Sequence, residues 1–224
     1  MHPEPHRVLC FGDSLTWGLD PLQGRRHGEA ARWPLVMERA FGPGLRVIED
    51  GQGGRTTVFE DPSSQVSRNG AMVLPVLLST HQPLDLVIIM LGTNDLKPAI
   101  CGSAEGAADG IGHLVELIQT HPWHASCRMP GIMIVSPPHF RRTVEGEGPR
   151  LGREISESLR LQPAYRAVAA ARGCHFFDAA SVAEASAVDG VHLEAEATRA
   201  IGLAIARVLQ DHVFPAVKDD SHGR

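Results

Sequence analysis

The sequence predicts an α/β protein, a single three-layer α/β/α domain on a five-stranded parallel sheet. Two observations predict it. Five short runs rich in apolar and β-branched residues, 7–11, 45–49, 84–91, 131–136 and 175–177, are near-continuously apolar, the pattern of strands covered on both faces. Segments with helical spacing lie between them, and strand alternating with helix is the signature of a parallel sheet wrapped by helices.

Taken in order, strand 7–11 is followed by the helix 32–41, where Trp33, Val36, Met37 and Ala40 share one face. Strand 45–49 precedes the apolar stretch 72–78, in which Pro75 predicts a kinked or short helix. After strand 84–91, Ile111, Leu114, Val115 and Ile118 fall at i, i+3, i+4 and i+7 of a helix over 105–119. Strand 131–136 leads to the Ala-rich helix 155–171, which Pro163 is expected to break in two. Strand 175–177 is followed by the helix 194–210, with Ile201, Ala204, Ile205 and Val208 on one stripe.

The chain has 224 residues. One hydrophobic core can grow to about 250 residues before chains divide, so 1–217 reads as one domain and 218–224 as a polar, frayed tail. A net charge of −5 gives a nucleic-acid partner no electrostatic support, and the pairs Arg25-Arg26 and Arg141-Arg142 read as solvated loop positions. The longest apolar run is too short for a bilayer, and the first residues lack the charged start and apolar stretch of a signal peptide. The four cysteines show no CxxC spacing, and Cys10 and Cys174 sit in strand-like runs. That suits a reducing compartment, so a cytoplasmic location is expected, with no membrane partner.

In parallel sheets, ligands bind beyond the carboxyl ends of the strands. The segments there are Gly12-Asp13-Ser14, Gly51-Gln52-Gly53-Gly54, Gly92-Thr93-Asn94-Asp95 and Pro137-Pro138. A serine directly after a strand and a glycine turn can project its hydroxyl from the sheet edge, although Asp13 and Ser14 serve equally as helix caps. A hydroxyl nucleophile needs a base that a third group orients. Of the twelve histidines, seven (His2, His6, His27, His121, His124, His212, His222) lie in polar or loop-like stretches and read as surface residues. His192 follows the fifth strand, three residues after Asp189, whose carboxylate can curl back to the imidazole; a DxxH can also be mere capping. The Ser14 and Gly54 N–H groups and the Asn94 amide are candidate oxyanion donors. Gly54 otherwise reads as a tight turn, Asn94 as an Asx turn. Arg55 either orders the second loop by pairing with a carboxylate or faces solvent.

As a set, FGDSLTWG at 11–18, GQGGRTT at 51–57, LDLVIIMLGTND at 84–95 and DGVH at 189–192 resemble the blocks of the SGNH (GDSL) hydrolase superfamily, over roughly residues 7–209. The arylesterase and acyltransferase (perhydrolase) group is the most similar. The resemblance implies a serine esterase acting on short acyl or aryl esters through an acyl-enzyme, with acyltransferase or perhydrolase activity as a further expectation, and with Ser14 as nucleophile and Asp189 and His192 completing a triad. Ser14, Gly54 and Asn94 would form the oxyanion hole, and Trp17 and Thr93 would line the pocket. It makes Asp13 a structural hydrogen-bond acceptor. It implies no cofactor or metal, a small-molecule ester as substrate, and a homo-oligomer. The apolar segments 72–78 and 213–217 would serve as interfaces, though buried helix faces explain them as well.

Two departures bear on acyl transfer. Gly54 stands where some acyltransferase relatives carry Ala. The loop 139–153 is charged, with Phe140 its one aromatic, which argues against a dry channel unless the loop faces outward or toward another subunit. A rival reading is a metal-dependent phosphoesterase using Asp13, Asp95, Asp189 and His192; another is a non-catalytic binding module on the same fold.

Overall fold

The computed structural model describes residues 4–215. The predicted tail, 218–224, lies outside them. Five parallel strands, β1 (His6–Gly12), β2 (Leu45–Gly51), β3 (Leu86–Met90), β4 (Gly131–Ser136) and β5 (His175–Asp178), form one sheet in the order β2-β1-β3-β4-β5. The helices are α1 (Ser14–Trp17), α2 (Trp33–Phe41), α3 (Gly70–His81), α4 (Ala104–Gln119), α5 (Ile155–Arg172) and α6 (Ala195–Val208).

Side chains alternate across a strand, so each central strand feeds two cores. Leu9, Phe11, Val87, Ile89, Ile132 and Ile134 pack on one side with α3, α4 and α5. Val8, Cys10, Leu86, Ile88, Met90, Met133 and Val135 pack on the other with α2 and α6. This is the predicted three-layer arrangement. The expectation that all five strands are covered on both faces holds for β1, β3 and β4 only. The edge strands β2 and β5 are largely half-buried, because an edge has one neighbouring strand and sits at the rim of the helical layers.

Neither proline ends its helix. Pro163 lies within the continuous α5 and is exposed, while Leu161, Tyr165 and Ala169 are buried and hold the helix against the sheet across the proline turn. Pro75 sits inside the 12-residue α3, whose Asn69 cap accepts the Ala71 N–H at 3.0 Å. The segment 72–78 faces both ways: Leu74 and Leu78 are buried, whereas Met72 and Val76 are exposed. At the other apolar segment, Phe214 stacks on His6 with ring centroids 3.9 Å apart; residues 216 and 217 lie outside the described part.

Strand register fixes where the site forms. Gly12 pairs with Gly51 on one side and with Met90 on the other, so the loops after β1, β2 and β3 leave the sheet at one level. The order β2-β1-β3 sends the chain one way after β1 and the other way after β2. That makes the β1/β3 boundary the switch point at which such sheets open a crevice.

Candidate active site

The chain turns from Gly12 straight into α1. Asp13 caps that helix, with Oδ1 accepting the Leu15 N–H at 2.8 Å. The cap fixes Ser14, whose Oγ lies 3.0 Å from His192 Nε2 across 178 residues of sequence. Asp189 Oδ2 accepts from His192 Nδ1 at 2.5 Å, and Asp189 Oδ1 accepts the backbone N–H of His192 at 2.9 Å and of Val191 at 3.0 Å. A carboxylate only accepts, so the imidazole carries its proton on Nδ1 and turns the Nε2 lone pair toward the serine. Burial alone would raise the Asp189 pKa. The three donors outweigh it and hold the pKa at about 2. The turn requires Gly190, which has φ 73°; a Cβ there would run into the Arg141 carbonyl.

Three loops meet at the switch point. Gly12 O accepts both Gln52 N–H at 3.1 Å and Arg55 Nη1–H at 2.9 Å, which brings the Gly51–Gly54 loop against the serine turn. Asn94 Nδ2 donates to Arg55 O at 3.0 Å and, more weakly, to Asp13 Oδ2 at 3.3 Å. Ser14, Gly54 and Asn94 therefore belong to loops that touch. Arg55 is buried and pairs with Asp50 at 2.7 Å, which decides between its two readings. Asp13 is fully buried; burial raises its pKa, opposed by the Leu15 N–H and the charge of Arg153. Asp95 is buried too and is raised to about 6 despite donors from the Thr57 hydroxyl and N–H.

The two proposed pocket residues part company. Trp17 is half-buried, with the Arg26 guanidinium 5.5 Å from its ring. Thr93 is 1% exposed, so it lies beneath the site and is not a wall of it. The neighbouring cleft, about 460 Å³, includes Asp189 in its wall. It has apolar walls from Leu19, Pro21 and Val188 and acidic ones from Asp20, Glu145 and Glu147, against one cation, Arg150.

Two residues were not legible as site residues. His27, expected on the surface, is buried and its Nε2 meets the Leu193 carbonyl at 2.9 Å, one residue past His192. Arg153, the last residue of the charged loop, is 5% exposed and donates to Thr93 O at 2.8 Å and Asn94 Oδ1 at 3.0 Å. The loop thus packs inward at Phe140 and Arg153 and leaves Arg141, Arg142, Glu145 and Glu147 in solvent. Local pattern gave no signal for either residue; both are set by the path of a loop.

The four groups of the phosphoesterase reading do not converge. Asp13 is committed to Leu15 and Asn94, Asp95 to Thr57, and Asp189 to His192. Among the described residues no three His, Cys, Asp or Glu side chains gather. That reading is not supported.

A family model for GDSL-like lipases and acylhydrolases matches residues 10–200. Among solved structures, a protein of Agrobacterium tumefaciens proposed to be an arylesterase is 50% identical, with a TM-score of 0.89 over 92% of this chain and 99% of that one. A carbohydrate acetylesterase family member from Sinorhizobium meliloti is 45% identical, with a TM-score of 0.86 over 92% and 97%. The M. smegmatis aryl esterase is 36% identical, with a TM-score of 0.85 over 92% and 98%. Curated proteins give no match.

Proposed function

The chain belongs to the GDSL-like lipase/acylhydrolase family and is a carboxylic ester hydrolase of the serine esterase class; from that premise we propose that Ser14, His192 and Asp189 are its catalytic triad. The single observation that carries this is the 3.0 Å contact between Ser14 Oγ and His192 Nε2. As the Ser14 oxygen attacks the ester carbonyl, its proton passes to Nε2. The ionised Asp189 holds the ring in place and stabilises the imidazolium. The Ser14 and Gly54 N–H groups and the Asn94 amide receive the oxyanion of the tetrahedral intermediate. His192 then protonates the leaving alcohol, and water, activated by the same imidazole, discharges the acyl-enzyme.

For substrate, we propose short acyl esters of aryl alcohols or of carbohydrates. Two of the similar structures are an aryl esterase and a carbohydrate acetylesterase family member. The cleft supports the reading, since acidic side chains at its rim suit a neutral, hydroxyl-rich leaving group better than a fatty chain. Glu145, Glu147 and Arg150 line the cleft and keep water in it, which favours hydrolysis over transfer to an alcohol. A cytoplasmic location fits the four free thiols, and a homo-oligomer fits the exposed Met72 and Val76 on α3.

The test is hydrolysis of p-nitrophenyl esters of increasing acyl length, with and without added alcohol, by the wild type and Ser14→Ala. Turnover highest at acetate and abolished in Ser14→Ala is expected. Unchanged turnover in the variant would remove Ser14 from the mechanism.

A further inference from the structure

An asparagine amide in an oxyanion hole carries a hidden ambiguity. Its NH₂ and its carbonyl oxygen have nearly the same shape, so a half-turn of the amide replaces a donor by an acceptor. Which end is aimed at the reacting oxygen is decided by the partners of both ends. For Asn94 the partner of Oδ1 is Arg153, whose Nη2 donates to it at 3.0 Å. If the amide turned over, NH₂ would face the guanidinium, and Oδ1 would face the Arg55 carbonyl and the Asp13 carboxylate. Every one of those contacts would become repulsive.

Arg153 is held as firmly as the group it holds. Nε donates to Thr93 O at 2.8 Å and Nη1 to Arg150 O at 2.6 Å, so one planar fork grips two consecutive residues of the β3 loop and its own loop at once. The chain reaches this position through two consecutive left-handed residues, Leu151 at φ 64° and Gly152 at φ 69°. Left-handed backbone at a leucine is costly and is retained where surrounding contacts over-determine it. Burial lowers the pKa of Arg153 to about 10, which leaves it charged at neutral pH.

We infer that Arg153 is a positioning residue for ester hydrolysis: it fixes the Asn94 amide with the NH₂ end toward the oxyanion. This rests on the oxyanion role proposed for Asn94.

The experiment is a double-mutant cycle. kcat and KM for p-nitrophenyl acetate are measured in Arg153→Met, Asn94→Ala and the combined variant, with folding followed by circular dichroism. Arg153→Met is expected to lower kcat about tenfold with KM within about twofold, and to cost nothing further once Asn94 is Ala, because paired groups are non-additive. A double variant whose loss is the product of the two single losses overturns the positioning role and leaves the oxyanion role standing. An Asn94→Ala variant with wild-type kcat overturns both. Should Arg153→Met fail to fold, Arg153→Lys carries the same cycle. Its expected few-fold loss of kcat vanishes in the Asn94→Ala background, and a loss that persists there overturns the inference.

Discussion

Asp189 grips His192 twice, taking the ring Nδ1–H on Oδ2 at 2.5 Å and the backbone N–H on Oδ1 at 2.9 Å. The carboxylate thereby fixes both the tautomer of the imidazole and the place of its Cα. This double hold makes the carboxylate and the imidazole a local unit, which Ser14 meets from across 178 residues of sequence.

Asp189→Asn is expected to lower kcat on the order of 10³–10⁴-fold, because an amide can donate to Nδ1 and so favours the tautomer with its proton on Nε2. Steady-state hydrolysis of p-nitrophenyl acetate at neutral pH measures this. A loss of less than tenfold would show that the imidazole is oriented by something other than Asp189.

Asn94→Ala is expected to reduce kcat about 10²–10³-fold and leave KM within about threefold, since the amide's bond to oxygen strengthens as negative charge develops. Equal and opposite changes in kcat and KM are not anticipated. A variant whose whole defect lay in KM would move Asn94 from transition-state stabilisation to substrate binding.

Gly190→Ala is expected to destabilise the fold by about 2 kcal/mol or more, combining left-handed backbone strain with a clash against the Arg141 carbonyl. Activity should fall further than stability, because the same turn carries Asp189 and His192. Urea denaturation and kcat on the same preparation separate the two effects, and a wild-type midpoint would contradict the steric account.

Stability should depend on pH through Asp95. Its folded pKa, about 6, is raised from an ordinary 3.8. The advantage of the protonated form is therefore fully present below pH 3.8 and is lost as pH rises through 6. Asp189 runs the opposite way: held at about 2, it stabilises fully above pH 3.8 and loses that contribution as pH falls through 2. Thr57→Val removes the hydroxyl that donates to Asp95. It should cost about 2 kcal/mol at pH 8, where the carboxylate is charged, and about half that at pH 5. Equal losses at the two pH values, read from denaturation midpoints, would place the Asp95 charge elsewhere.

The strands, the helix faces and the ends of the sheet were legible because they follow from short-range periodicity. The central runs alternate between two cores, and that alternation is written into neighbouring residues such as Leu9, Cys10 and Phe11. That Ser14, Gly54, Asn94, Asp189 and His192 lie at one rim was legible because parallel topology sends every strand's carboxyl end to the same side of the sheet. Local rules failed where packing overrides propensity. Pro163 reads as a breaker, yet α5 runs through it because its buried face is anchored on both sides of the proline.

Residue type and spacing along the chain were enough for the α/β order and for the loops that bring Ser14, Asp189 and His192 to one rim of the sheet. That Arg153 and His27 turn inward, that Thr93 is sealed away and that Arg55 pairs with Asp50 follow from contacts made across the folded chain. Whether a charged side chain meets water or a buried carbonyl is settled by segments distant in sequence, and no window along the chain contains both partners.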